Sequence, residues 1–165
     1  MQDLLPLAQR AGAMLKEKKQ TIVVAESASG GLISAALLAV PGASAYFVGG
    51  AVLYTRAAHK LMLELPDDAV KGMRAATEEH TLAVARHTLA RFATTWCLAE
   101  HGAAGPTGNR YGDAAGHSCL ALVGPSERAV TLETGSADRA ANMQAFAKRA
   151  LELLVETLSK TDRGD

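Results

Sequence analysis

What this 165-residue chain lacks excludes several classes of protein. Neither sign of charge is in excess, since Lys plus Arg and Asp plus Glu stand at 17 each. No overall field therefore draws the chain to nucleic acid or to an anionic membrane surface, and any bound anion has to be held by local groups. The two cysteines, Cys97 and Cys119, are too few for a disulfide framework and too far apart for a Cys-x-x-Cys zinc or redox motif. Both lie in apolar runs and read as buried thiols. No apolar run approaches the ~20 residues of a membrane span. The first twenty residues form an amphipathic pattern ending in Lys16, Lys18 and Lys19, which reads neither as a signal peptide nor as an anchor. A cytoplasmic location is the expectation. Repeats, low-complexity segments and linkers are missing too, so the chain reads as one domain over residues 1–160 with a frayed tail at 161–165.

What is present is a core and a rhythm. A hydrophobic content of 48% is enough to bury a sizeable interior. Apolar residues at helical spacing predict a first helix over about 2–18, and the β-branched run Thr21 to Ala25 predicts a buried strand. A glycine turn, a small-residue helix from Leu32 to Val40 and a Pro41-Gly42 stop follow. Further on, the pattern predicts a strand within 47–55, a short helix over about 56–63, a short helical piece near 68–74 and a long helix starting at Thr77. Strands over 94–99, 118–123 and 129–134 come next, the last two joined by the turn Gly124 to Glu127, and a closing helix runs from Asp138 to about Leu158. Helices and strands interleaved along the whole length imply a sheet covered on both faces, a three-layer α/β/α sandwich. The hairpin at Gly124 makes the sheet mixed.

Three groups of residues can carry chemistry. The turn Glu26-Ser27-Ala28-Ser29-Gly30-Gly31 lies between a strand and a helix, where backbone N–H groups and the helix start can hold a phosphate or carboxylate. It matches neither the dinucleotide fingerprint nor the P-loop, and it serves equally as a tight turn with a serine cap. The glycine-rich stretch from Glu100 to Gly116 is a long polar loop with no apolar period, and such loops in small domains are more often functional than not. The third group is Ser44, Tyr54, His59 and Lys60: a serine needs a base, which a lysine or a histidine can be, and a tyrosine can steady the proton. A different hydrolase built on Glu100, His101 and Ser27 or Ser29 is a further arrangement, because carboxylate, imidazole and hydroxyl are the parts of a triad.

The segments Ala25 to Gly31, Val40-Pro41-Gly42-Ala43-Ser44-Ala45-Tyr46-Phe47, Gly49 to Tyr54 and Gly105-Pro106-Thr107-Gly108, in that order and at matching distances, resemble the CinA C-terminal domain family. The resemblance covers about residues 3–158. It implies a nicotinamide-nucleotide amidohydrolase, a serine enzyme that converts the carboxamide of nicotinamide mononucleotide to the acid and ammonia without metal or cofactor. By position it makes Ser44 the nucleophile with Tyr54 beside it. It lines the nucleotide pocket with Glu26, Ser27, Ser29, Gly30, Gly31, His101, Gly105, Pro106, Thr107 and Gly108, and it puts Arg139 on the ligand phosphate. It also implies a homo-oligomer, a dimer. The chain departs from the family pattern where a general-base lysine is expected five residues after the tyrosine: His59 stands there and Lys60 follows, so either is a candidate base. His101 stands where a hydroxyl residue is usual, and Arg110 to Gly116 replace a conventional Glu-Glu-Lys-Pro-Val-Gly segment. A catalytically silent nucleotide-binding module is the competing expectation.

Overall fold

Five buried residues in a row, Ile22–Glu26, form the central strand β1. A strand buried on both faces needs helices on both sides, and the chain supplies them. In the computed structural model, which describes residues 1–161, α1 (Leu5–Glu17) leads into β1, then come α2 (Leu32–Leu38), β2 (Phe47–Val52) and α3 (Arg56–Leu63). After a 3-10 turn over Asp67–Val70 follow α4 (Glu78–Phe92), β3 (Trp96–Ala103), β4 (His117–Val123), β5 (Glu127–Glu133) and α5 (Arg139–Thr161). The strands order β2-β1-β3-β4-β5, with β1 parallel to both neighbours and β4 and β5 antiparallel. The sheet is mixed and the fold is α/β, as the sequence predicts.

Side chains alternate along each strand, so β3 feeds two cores. Trp96 and Leu98 pack with α1, α2 and α5, whereas Cys97 and Ala99 pack with α3 and α4. Both cysteines are buried free thiols, and burial pushes the thiol of each upward. Helix starts follow the residue chemistry: the Thr77 hydroxyl accepts from His80 N at the head of α4, and Asp138 accepts from Ala141 N at the head of α5.

Two boundaries differ from expectation. β3 continues through Glu100, His101 and Gly102 to Ala103, into what reads as loop, because β4 pairs with it as far as Ala103 opposite His117. Tertiary pairing overrides the loop-like composition there, and Gly102 permits it, since a Cβ would stand 2.6 Å from the His117 carbonyl oxygen. The helical piece predicted near 68–74 is only the 3-10 turn. α5 runs on through Thr161, and the rest of the tail expected at 161–165 lies outside the described residues.

Candidate active site

β1 stands between β2 and β3, and the loops leaving β1 and β2 go to opposite faces of the sheet. That arrangement opens a crevice at the carboxyl ends of the parallel strands, where open α/β sheets bind their ligands. Here the crevice is already filled by the protein. The Glu100 carboxylate accepts from Ser27 N at 3.1 Å and Ser29 N at 2.8 Å, from the Ser29 hydroxyl at 2.9 Å, and from the Ser118 hydroxyl at 3.0 Å. Glu26 stands 2.8 Å from the same Ser29 hydroxyl, whose one hydrogen is shared between the two carboxyl groups, and it accepts from the N–H groups of Ile33 and Ser34 at the head of α2. Complete burial pushes the Glu100 carboxyl upward, and the hydrogen bonds from Ser29, Ser27 and Ser118 oppose that.

This corrects the reading of the first turn as a phosphate cradle. Gly30 and Gly31 do adopt the positive φ that such a turn requires, +66° and +98°. Its donors, however, point at an internal anion, and Glu26 and Ser29 are fully buried beneath the surface. Of the turn, Ser27 lines the open cleft.

That cleft, about 600 Å³, lies over the carboxyl ends of the strands on the α3/α4 side. Its wall is an imidazole cluster: His59 from α3, His80 from the first turn of α4 and His101 from β3. His59 Nδ1 stands 2.9 Å from the Thr55 carbonyl oxygen, and its Nε2 stands 2.7 Å from His101 Nε2. The rings of His59 and His101 meet nitrogen to nitrogen with their centroids 5.0 Å apart and their planes inclined by 27°, and His80 meets His101 edge-on at 5.0 Å. Burial lowers all three, with His80 brought down to about 4 by burial and then by His59, and His101 well below the usual histidine range. Near neutral pH the wall is uncharged. No three His, Cys, Asp or Glu side chains among the described residues are grouped so as to hold a metal ion.

Tyr54 joins this cleft to a smaller pocket of about 200 Å³ lined by Gly105, Thr107, Gly108, Asn109 and Arg139. Arg139 donates to the Gly105 carbonyl oxygen at 2.6 Å and to the Tyr54 hydroxyl at 3.1 Å. The second loop is braced from inside, because the Asn109 side chain accepts from Tyr111 N and Asp113 N, and Asp113 pairs with Arg74 at 2.8 Å. It thereby presents Arg110 and Tyr111 to the large cleft.

The structure gathers Ser27, Tyr54, His59, His101, Arg139 and the Gly105 to Gly108 loop around the two pockets, Pro106 being part of that loop. It does not bring Ser44 or Lys60 to them. Lys60 is exposed and its ammonium pairs with Asp67 at 3.3 Å, because the residue after His59 on a helix is turned by about 100°. Ser44 is exposed in a 3-10 turn before β2, whereas Tyr54 follows β2. The six-residue strand separates them by about 20 Å. The Glu100–His101 triad fails as well, since neighbours on a strand project to opposite faces and Ser29 is held on the Glu100 side. His80 is the site residue that sequence reasoning missed. Its signal was available: α4 leads into β3, so the first turn of that helix lies at the end of the sheet where His101 emerges.

The fold and the paired pockets define an α/β domain with an open cleft at the carboxyl ends of its parallel strands. The chain belongs to the CinA C-terminal domain family, whose model matches residues 4–158. A CinA-like protein of Parasynechococcus marenigrum is 36% identical over 144 residues, 86% of this chain and 34% of that protein. One from Desulforapulum autotrophicum is 34% identical over 91% of this chain and 36% of its own length. The chain thus spans about a third of the length of these relatives. Among solved structures, the competence/damage inducible protein CihA from Agrobacterium tumefaciens superposes with a TM-score of 0.86 at 28% identity, covering 95% of this chain and 96% of that one. No described helix is long and apolar enough to cross a membrane.

Proposed function

We propose that the site binds nicotinamide mononucleotide or a close relative and hydrolyses its carboxamide to the acid and ammonia, with Ser44 of a second copy as nucleophile and His59 as base. The observation that carries this reading is the division of the site at Tyr54. On one side, Arg139 and the backbone of the Gly105 to Gly108 loop suit a phosphate. On the other, an uncharged imidazole wall suits a neutral carboxamide, because neutral imidazole both donates and accepts.

The need for a second copy comes from the distance between Ser44 and Tyr54, and the surface supports it. β2 is an edge strand, with Val48 and Val52 exposed on it and Leu38 exposed nearby in sequence. An open, apolar strand edge is a template for pairing. Antiparallel pairing of two β2 edges about a two-fold axis sets the start of one strand beside the end of the other, which brings Ser44 of the second copy toward Tyr54 and His59. The serine oxygen then attacks the amide carbon, its proton passes to His59 Nε2, and the departing ammonia carries that proton away. Water hydrolyses the resulting ester by the same route.

The test is ammonia release from nicotinamide mononucleotide. Ser44→Ala and His59→Ala should each abolish it. Mixing the two inactive proteins should restore about a quarter of the wild-type rate, because half of randomly formed dimers carry one intact site of two. Saturable binding by the wild type with no ammonia would instead support the silent module, a reading favoured by the engagement of Lys60 with Asp67 and of His59 with His101.

A further inference from the structure

We infer that the His101 N–H masks the proton-accepting nitrogen of His59 while the cleft is empty, and moves to the carbonyl oxygen of the substrate when the cleft is occupied. The inference rests on the proposed role of His59 as base; the masking itself rests on hydrogen-bond geometry alone.

The tautomers follow from the partners. The Thr55 carbonyl oxygen can only accept, so the His59 Nδ1 at 2.9 Å carries a hydrogen, and the lone pair of the neutral ring lies on Nε2. Two bare lone pairs 2.7 Å apart would repel, so His101 carries its hydrogen on Nε2 and donates to His59 Nε2. The remaining His101 nitrogen, Nδ1, is then a bare acceptor, and it is buried without a partner. The reverse assignment sets the bare Nδ1 of His59 against the Thr55 carbonyl and strands a buried N–H on His101, the worse of the two outcomes.

Among the described residues, no carboxylate, lysine or arginine acts by its charge on either ring. His80 is the titratable group packed against both rings. The charged groups elsewhere in the cleft are Arg56, Asp67, Asp68, Lys71 and Arg110, and Arg56 is paired with Asp67.

A base whose lone pair is already engaged cannot take a proton. When a carboxamide enters, its carbonyl oxygen competes for the His101 N–H, and it holds that hydrogen more strongly as negative charge develops during attack. The N–H then leaves His59, whose Nε2 accepts the serine proton and becomes a second donor, while Nδ1–H stays on the Thr55 carbonyl. One hydrogen thus keeps the base idle in the empty cleft and stabilises the oxyanion in the occupied one.

The experiment is two-bond ¹H–¹⁵N spectroscopy of the histidine side chains, with and without nicotinamide mononucleotide, beside turnover of His101→Phe and His101→Gln. In the free protein His59 should carry hydrogen on Nδ1 and His101 on Nε2, and nucleotide should shift the His101 Nε2 proton. His101→Phe removes the donor that favours neutral His59, so the His59 titration midpoint should move up, and the acid limb of kcat/KM should move up with it. It should also lower kcat about 100-fold with little change in KM, as loss of an oxyanion donor does. Glutamine restores an N–H donor and should rescue both in part. Hydrogen on His101 Nδ1 in the wild type, or a His101→Phe protein whose His59 titrates as before, overturns the inference. If the wild type releases no ammonia, the amidase reading fails while the spectra still decide the masking. Ammonia release with the wrong tautomers sinks the masking alone.

Discussion

Glu100→Leu tests whether the filled crevice holds the fold together. The leucine removes the acceptor of two buried backbone donors, Ser27 N and Ser29 N, which belong to the chain and cannot be deleted with it. A buried N–H left unpaired costs about 1–3 kcal/mol, so the pair costs about 4 kcal/mol. Two effects oppose this: the buried carboxyl no longer has to be desolvated, and an apolar side chain gains by burial. The Ser29 hydroxyl keeps Glu26 as its acceptor. The fixed donors win, and a net loss of about 3 kcal/mol is expected. Glu100→Gln keeps a carbonyl oxygen for both N–H groups and turns its NH₂ to the Ser118 hydroxyl, so it should cost about 1 kcal/mol. Urea unfolding followed through Trp96, the single tryptophan and a fully buried one, reads both. A leucine variant within 1 kcal/mol of the wild type, or a glutamine variant as damaged as the leucine one, would refute the reasoning.

The imidazole wall makes stability depend on acid. His80 titrates at about 4 in the fold against 6.5 in the unfolded chain, so the unfolded state binds more protons between those values. The contribution is whole above pH 6.5 and is lost as pH falls toward 4; His80→Phe should flatten that fall in the urea midpoint, and an unchanged pH dependence would tell against it. Lys60→Ala should leave both the unfolding midpoint and ammonia release in place, because its ammonium pairs with Asp67 on the surface. Lost turnover with an intact fold would return the base's role to the lysine.

The order of elements was legible because periodicity is a local property: α3 and the capping Thr77 of α4 fall where the pattern puts them. The far end of β3 was not legible, since Glu100 to Ala103 become strand only through their partners on β4. The site divides the same way. Motif order pointed to Tyr54, Arg139 and the second glycine loop, and spacing on a helix raised the choice between His59, which lines the cleft, and Lys60, which pairs with Asp67. What escaped was the identity of the anion in the first turn. Backbone donors in a glycine turn advertise that they need an acceptor, but the side chain that answers them comes from 73 residues further along the chain.

β3 ends by sending a carboxylate to one face of the sheet and an imidazole to the other from adjacent residues. A slip of one residue against β1 would turn the glutamate toward the imidazole face and the histidine toward the serine face, and both would lose their present partners. In the crevice the Ser27 and Ser29 N–H groups and the Ser29 hydroxyl converge on one carboxyl oxygen of Glu100. Glu100 therefore acts as a gauge: the register that seats it on those donors is also the one that delivers His101 to the cleft wall.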